Sequence, residues 1–255
     1  MRCSAQWPSG HNRLIILEMD DPRQRLIVAL DFSSAAAAQR LAAAVGESAF
    51  FYKVGMQLYT AEGPRVVQDL VASGRKVFLD LKYHDIPNTV ASAVKEAAGL
   101  GVSMLTVHAS GGSRMLRAAT EAASANPSLI VLGVTVLTSL GAADLDELGL
   151  QGGLQDQVVR LAQLALQSGC RGIVTSAREA PAVRRELRGD FALVTPGVRP
   201  AGTVRGDQER VVTPAEAIAA GATHIVVGRP ITAAPDPASA AQAILTEISG
   251  AACLA

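Results

Sequence analysis

Short apolar runs recur along the chain from Arg25 onward, and Ala-rich or amphipathic stretches separate them. The runs cover residues 26–30, 50–54, 77–81, 104–107, 129–136, 172–175, 192–195 and 224–227. Runs of this length and character are typical of strands buried on both faces of a parallel sheet. Eight such strands, separated by helices, predict an α/β fold, the (β/α)8 TIM barrel. A doubly wound sheet is the alternative that this order of elements allows.

Helix starts are marked at three places late in the chain. Ser176 is followed three positions later by Glu179, which is the spacing of a capping box. Thr213 and Glu216 have the same spacing. Asp236 precedes a proline and indicates the start of the last helix. These signals place one helix between the predicted sixth and seventh strands, one between the seventh and eighth, and one after the eighth.

Composition favours one large domain and excludes two function classes. The chain has 255 residues, of which 49% are hydrophobic, and its formal net charge is zero. A chain of this size can bury a substantial core. Zero net charge provides no basic surface for nucleic acid, and the apolar runs are too short to span a membrane. The cysteines, Cys3, Cys170 and Cys253, lack paired or metal-like spacing and predict free thiols in a reducing cytoplasm.

The N-terminal segment differs from the rest of the chain. Residues 1–24 are predicted to be a loosely ordered extension, followed by a single barrel domain over residues 25–250. The apolar run at residues 14–17 is too short for the core of a signal peptide. Met19 lies just before the first strand and is a candidate start of the protein.

Charged residues stand where the predicted strands end. Asp80 and Lys82 lie on one side of the third strand if its side chains alternate, and Asp85 follows in the loop. Taken alone, this pair suits a structural ion pair as well as a functional site. Asp31 and Lys53 end the two preceding strands, and a TIM barrel places its active site at that end. Four alternating charges in one barrel mouth favour a functional site over structural ion pairs.

The lysines of this set indicate its chemistry. A lysine between aspartates balances their charge, which weakens the case for a metal such as Mg²⁺. Nearby carboxylates also favour the ammonium form of Lys82. An ammonium is a poor base and a poor nucleophile, but it is a good proton donor to a carbanion.

The last two strands predict a phosphate site. Gly197 and Gly228 allow close approach of the backbone, and Arg229 offers two parallel hydrogen bonds to a phosphate. TIM barrels often bind phosphate with the loops that follow these strands. The polar loop at 199–212 is a candidate lid over this site.

Residues 80–89, with the sequence DLKYHDIPNT, closely resemble the signature of the orotidine 5′-monophosphate decarboxylase family. The resemblance extends from Arg25 to Ile248. It implies a TIM-barrel lyase that decarboxylates orotidine 5′-monophosphate (OMP) to UMP without a cofactor or metal, the last step of de novo pyrimidine nucleotide synthesis. It also implies a homodimer whose subunits share their active sites.

The resemblance assigns a role to individual residues. Lys82 matches the catalytic proton donor, and Asp80 the carboxylate beside the scissile group. Asp31 and Lys53 match residues at the ribose hydroxyls. Asp85 and Thr89 match residues that reach the ribose across the dimer interface. The remaining matches are contacts to the pyrimidine ring and the phosphate: Thr138, Arg199, Gln208, Gly228 and Arg229.

Two other functions remain open, and other polar residues are given structural roles. Sugar-phosphate barrels share the Asp-x-Lys-x-x-Asp core, so a Mg²⁺-dependent lyase is one rival; a catalytically silent nucleotide-binding barrel is the other. Intact Lys82 and Asp80 disfavour the silent barrel. We expect His84 to pack or support the site from behind, His108 to be a satisfied barrel-mouth histidine, and Ser176 to cap a helix.

Overall fold

The structure, a computed structural model, describes residues 21–200 and 212–252. The predictions for residues 1–20, including Met19, and for Gln208 lie outside these ranges. Eight parallel strands form a closed barrel in sequence order. They are β1 (Leu26–Ala29), β2 (Phe51–Gly55), β3 (Lys76–Tyr83), β4 (Met104–His108), β5 (Ile130–Val134), β6 (Gly172–Val174), β7 (Ala192–Thr195) and β8 (His224–Val227).

The pairing of β1 with β8 closes the barrel. Leu26 pairs with Ile225, and the next two positions of each strand continue the register. The (β/α)8 prediction is therefore confirmed, and the doubly wound alternative, which leaves two open edges, is wrong. The strand ends differ from the predicted ones by no more than two residues.

Helices surround the barrel. In the described residues they are α1 (Ala35–Val45), α2 (Met56–Glu62), α3 (Arg65–Ala72), α4 (Pro87–Gly99), α5 (Gly112–Ala123), α6 (Ala142–Glu147), α7 (Leu154–Gln167), α8 (Ala180–Glu186), α9 (Pro214–Ala219), α10 (Arg229–Thr232) and α11 (Pro237–Ala252). Short 3₁₀ turns occur at Pro22–Gln24, Gly46–Ser48 and Ala109–Gly111. In the described residues, no helix combines the length and hydropathy needed to cross a membrane.

The strands bury side chains on both faces, which explains their continuous apolar runs. Phe78 and Met104 belong to a cluster inside the barrel, together with Phe51 and Leu132. Leu79 belongs to a larger cluster between the barrel and the helices. The alternation predicted for β3 therefore holds up to this point, and it aims the next inward position, Asp80, at the barrel mouth.

Two of the three predicted helix starts are confirmed. The Thr213 hydroxyl accepts a hydrogen bond from the Glu216 N–H at 3.2 Å, and the Glu216 carboxylate accepts one from the Thr213 N–H at 2.7 Å. Asp236 accepts a hydrogen bond from the Ser239 N–H at 3.1 Å, at the start of α11. Each of these side chains satisfies backbone donors that a helix start leaves unpaired.

The capping box predicted at Ser176 is wrong. The Ser176 hydroxyl accepts from the Arg178 N–H at 3.2 Å and closes a turn, and α8 begins only at Ala180. The physical reason is Pro181. A helix beginning at position 177 would need a hydrogen bond from the residue at 181, and proline has no N–H to donate.

Two ionisable groups are buried away from the barrel mouth. Burial raises the pKa of the free Cys170 thiol to about 12, so this cysteine is an inert core residue. Inside the barrel, at the amino end of β8, His224 contacts the Thr223 hydroxyl at 2.8 Å and the edge of Phe51. Burial, followed by the charges of Arg25 and Lys76, lowers the pKa of His224 to about 3. His224 is therefore neutral in the folded protein near pH 7.

His224 should make the fold sensitive to acid. Its pKa rises from about 3 to an ordinary 6.5 on unfolding, so between these values the unfolded chain binds more protons. The free energy of unfolding should therefore fall with pH below 6.5, by up to about 1.4 kcal/mol per pH unit from this group. In His224→Asn, whose amide can reach the Thr223 hydroxyl, we expect a shallower slope in urea unfolding between pH 6 and 4.

The control for this experiment is His84→Asn, which leaves His224 in place and should keep the wild-type slope. Equal slopes for His224→Asn and the wild-type protein would contradict the assignment of acid sensitivity to His224.

Candidate active site

A chain of ion pairs joins four charged side chains at the carboxyl ends of β1, β2 and β3. The Lys53 ammonium lies 2.9 Å from Asp31 Oδ1 and 3.9 Å from Asp80 Oδ2. The Lys82 ammonium lies 2.8 Å from Asp80 Oδ1. The Asp31 side chain is 61% exposed and that of Asp80 only 15%, so the chain runs from solvent into the barrel mouth. The four residues that the sequence placed together do meet.

Strand register positions this chain of charges. Ala29 pairs with Lys53, and Gly55 pairs with Asp80, which brings the ends of the first three strands to one level. Gly55 also leaves necessary space: a Cβ atom there would lie 2.9 Å from Lys53 Nζ and 3.5 Å from Asp31 Oδ1. The sequence alone does not mark Gly55 as a site residue, because only the positions of its neighbours show why this position must be small.

The pairing of β3 with β4 becomes irregular beside these charges. Positions 79 and 83 of β3 pair with positions 105 and 107 of β4, so three residues of β3 face one residue of β4. Lys82 adopts a φ of 53°, and among the described residues no other non-glycine residue has a positive φ. A left-handed backbone is costly for a residue with a side chain, and such strain often marks a functional site.

Thr106 is a site residue that the sequence alone does not predict. Its hydroxyl accepts a hydrogen bond from the Lys82 N–H at 2.9 Å and donates one to Asp80 Oδ1 at 3.0 Å. Only 1% of Thr106 is exposed. The available signal was a polar residue within the apolar run of β4, next to the strand that carries the charges.

The barrel mouth holds a cavity of about 150 Å³ with one charged wall. Lys53, Asp80 and Lys82 form that wall, and Thr138 contributes from the loop after β5. The rest of the lining is mostly apolar: Phe78, Val134, Val136, Leu137, Val174, Thr175, Pro196 and Val226. Such a cavity suits a flat ring whose reacting group faces the charged wall.

Residues 24–244 match the profile of the Orotidine 5′-phosphate decarboxylase / HUMPS family. The chain belongs to this family. It is 56% identical to the orotidine 5′-phosphate decarboxylase of Halorhodospira halophila (strain DSM 244 / SL1), over 89% of this chain and 97% of that one. It is 55% identical to the enzyme of the same name from Anaeromyxobacter dehalogenans (strain 2CP-1 / ATCC BAA-258), over 88% and 97%.

A solved structure agrees with this family. The crystal structure of orotidine 5′-phosphate decarboxylase from Lactobacillus acidophilus superimposes with a TM-score of 0.79 at 39% identity. It covers 88% of this chain and 98% of that chain. The family that the DLKYHDIPNT motif predicted is thus confirmed, together with its barrel fold.

Of the residues predicted for the phosphate and ring, those that the structure describes follow strands of the same barrel end as the ion pairs. Gly228 follows β8 and lies close to Asp31, since a Cβ atom on it would be 3.8 Å from Asp31 Oδ2. Arg229 is exposed and begins α10. Arg199 is buried, and its N–H donates to the Val212 carbonyl at 2.9 Å. Gln208 and most of the proposed lid lie outside the described residues.

Asp85 and Thr89 do not join the ion-pair chain. Both are exposed, and Asp85 Oδ1 accepts a hydrogen bond from the neighbouring Ile86 N–H at 2.6 Å. Asp85 lines a separate, open groove of about 410 Å³ with His84, Ile86, Pro87, Ser110, Gly111, Arg114 and Met115. This groove is larger than the barrel-mouth cavity, but it lacks Lys82 and the rest of the charged wall.

Two histidines lie close to each other near the end of β3. The rings of His84 and His108 are 5.2 Å apart, so His84 packs against a barrel-mouth residue as expected. Burial lowers the pKa of His108, and the charges of His84 and Lys82 lower it further. His108 is therefore neutral at pH 7 and adds no charge to the site.

The described residues contain no group of three or more His, Cys, Asp or Glu side chains that could hold a metal ion. The carboxylates at the mouth alternate with lysines instead, as the ion-pair distances show.

Proposed function

We propose that the protein converts OMP to UMP with the Lys82 ammonium as the proton donor. The decisive observation is the position of Lys82 Nζ, 2.8 Å from Asp80 in the wall of the barrel-mouth cavity. The names of the relatives confirm the predicted reaction and enzyme class, a decarboxylase and hence a lyase. The residue roles that follow are proposals, and the geometry of the mouth supports them.

The reaction breaks the bond between the pyrimidine ring and its carboxylate. CO₂ leaves, and the electron pair remains on the ring carbon that carried it. Lys82 stabilises this negative charge, transfers a proton to the carbon and regains a proton from solvent. No separate electron sink is then needed, because the charge is stabilised electrostatically at the place where it develops.

Asp80 and Lys53 complete the charged wall. Asp80 lies beside the departing carboxylate and holds the Lys82 ammonium in position. Lys53 lies between Asp80 and Asp31, so it balances both carboxylates. The Asp31–Lys53 pair, at the solvent end of the chain of charges, is placed to bind the ribose hydroxyls.

The other side of the mouth holds the remainder of the substrate. Thr138 lines the cavity and contacts the pyrimidine ring in this proposal. Arg229, with the backbone at Gly228, binds the phosphate, and Arg199 and Gln208 contribute from the lid segment. Binding energy at the phosphate then supports the chemistry at the ring, if the lid closes only when the phosphate is bound.

The active site is completed by a second copy of the chain in this proposal. Asp85 and Thr89 lie past the end of β3 and are exposed, outside the chain's own ion-pair network. Ile86, between them, is 66% exposed and is available for contact with a second copy of the chain. In a twofold dimer Asp85 and Thr89 reach the ribose of the partner's substrate.

Metal dependence separates this proposal from a Mg²⁺-dependent lyase. We expect exhaustive treatment with a chelator to leave the rate of OMP decarboxylation unchanged, because lysines balance the carboxylates of the mouth. The ring absorbance of OMP reports the rate, and untreated protein is the control. Activity that is lost on chelation and restored by Mg²⁺ would contradict the proposed mechanism and favour the rival.

A further inference from the structure

We infer that Thr106 is a positioning residue that holds Lys82 in its working conformation. The inference rests on the proposed role of Lys82 as proton donor. It starts from the single hydroxyl that contacts both the backbone of Lys82 and the carboxylate of Asp80. Thr106 is not among the residues that line the barrel-mouth cavity, so we expect it to act through Lys82 and Asp80.

The irregular pairing of β3 gives Thr106 a structural task that no other residue of β4 has. Position 79 of β3 pairs with position 105 of β4, and position 83 pairs with position 107. Residues 80–82 of β3 therefore all face Thr106. In regular parallel pairing, the backbone N–H of Lys82 would donate to a carbonyl of a neighbouring strand. Here it donates to the Thr106 hydroxyl at 2.9 Å, so a side chain replaces the missing backbone partner.

The backbone at Lys82 needs such a restraint. With a φ of 53°, Lys82 is in a region that residues with side chains avoid, and it stays there only if its surroundings hold it. The hydrogen bond from its N–H fixes the backbone, and the ion pair with Asp80 fixes the ammonium at the other end of the side chain. Thr106 contacts both anchors.

Both hydrogen-bonding functions of the hydroxyl are in use. The oxygen accepts from Lys82, and the hydrogen is donated to the same Asp80 oxygen that receives the Lys82 ammonium. A side chain of the same shape without a hydroxyl would release the Lys82 backbone and remove one donor from Asp80. The ammonium would then sample positions from which it cannot reach the ring carbon, and a misplacement of about 1 Å can cost about a hundredfold in rate.

Thr106→Val tests this inference, since valine keeps the volume and removes the hydroxyl. We expect kcat for OMP to fall about a hundredfold, while KM changes less than about threefold because the substrate contacts remain. Thr106→Ser, which restores the hydroxyl, should return kcat to within about fivefold of wild type. Loss of packing alone would not be reversed by the smaller serine.

Thr223→Val is the matched control. The Thr223 hydroxyl likewise accepts a backbone N–H, that of Leu193 at 2.8 Å, but at the opposite end of the barrel. We expect this variant to lose thermal stability as Thr106→Val does and to keep wild-type kcat.

The outcomes distinguish the inference from the proposal on which it rests. A kcat within threefold of wild type in Thr106→Val, with Lys82→Ala inactive, would overturn the role of Thr106 and leave the proton donor in place. Turnover by Lys82→Ala within tenfold of wild type would instead contradict the proposed donor. If Thr106→Val does not fold, Thr106→Cys replaces it, because a thiol of similar size is a weak hydrogen-bonding group. A Thr106→Cys variant as active as Thr106→Ser would then overturn the inference.

Discussion

Lys82→Ala should lower kcat for OMP by at least about four orders of magnitude. Proton delivery by a positioned group contributes about 10²–10⁴ in rate, and stabilisation of developing charge contributes about 10²–10³ more. Alanine removes both contributions, while the barrel-mouth cavity and the phosphate side remain. Steady-state turnover at saturating OMP measures the effect, and binding of UMP shows that the variant is folded.

Lys76→Ala is the matched control for this change. Lys76 begins β3, at the opposite end of the strand from Lys82, and its ammonium donates to Gln24 at 3.0 Å. Its loss should leave kcat near the wild-type value. Turnover by Lys82→Ala within tenfold of wild type would mean that the proton comes from another group.

Mixing two inactive variants should restore activity if the subunits share their sites. Lys82→Ala and Asp85→Ala should each be nearly inactive as homodimers. In a mixed dimer, the intact Lys82 of one chain meets the intact Asp85 of the other, so one site is complete. The second site of that dimer lacks both groups.

The size of this recovery can be calculated. Random exchange of subunits makes about half of the dimers mixed, and one site in two is complete in each, so activity should return to about a quarter of wild type. Turnover is measured before and after incubation under conditions that allow subunits to exchange. Mass spectrometry of the intact dimers verifies that the exchange has occurred. A mixture of Asp85→Ala with the double variant Lys82→Ala/Asp85→Ala is the control and should stay inactive. Proven exchange without recovery would place Asp85 in its own chain's site or in none.

The fold could be predicted from the sequence because each strand is buried on both faces. A strand that is buried on both faces has a continuous apolar run in the sequence. The ends of the predicted strands agree with the observed ones within two residues. The capping pattern of Ser176 and Glu179 predicted the start of α8 at the wrong place. Pro181 cannot donate the backbone hydrogen bond that a helix beginning at position 177 would need, so α8 begins only at Ala180.

The site residues that could be predicted are those whose charge lies at the end of a predicted strand. Asp31, Lys53, Asp80 and Lys82 are each marked by their own position in the sequence, and register then brings them together. Simple alternation placed Asp80 and Lys82 on the same side, but they meet across an irregular segment with a left-handed Lys82. Thr106 could not be found in this way, because its role depends on which residues of β3 face it.

Decarboxylation of OMP by this protein is tested most directly by the stoichiometry of the reaction with purified protein. OMP is supplied without any added cofactor, and UMP and CO₂ are both quantified over time. We expect one UMP and one CO₂ for each OMP consumed, with the reaction nearly absent in Lys82→Ala. Binding of OMP without its consumption, or consumption without release of CO₂, would contradict it.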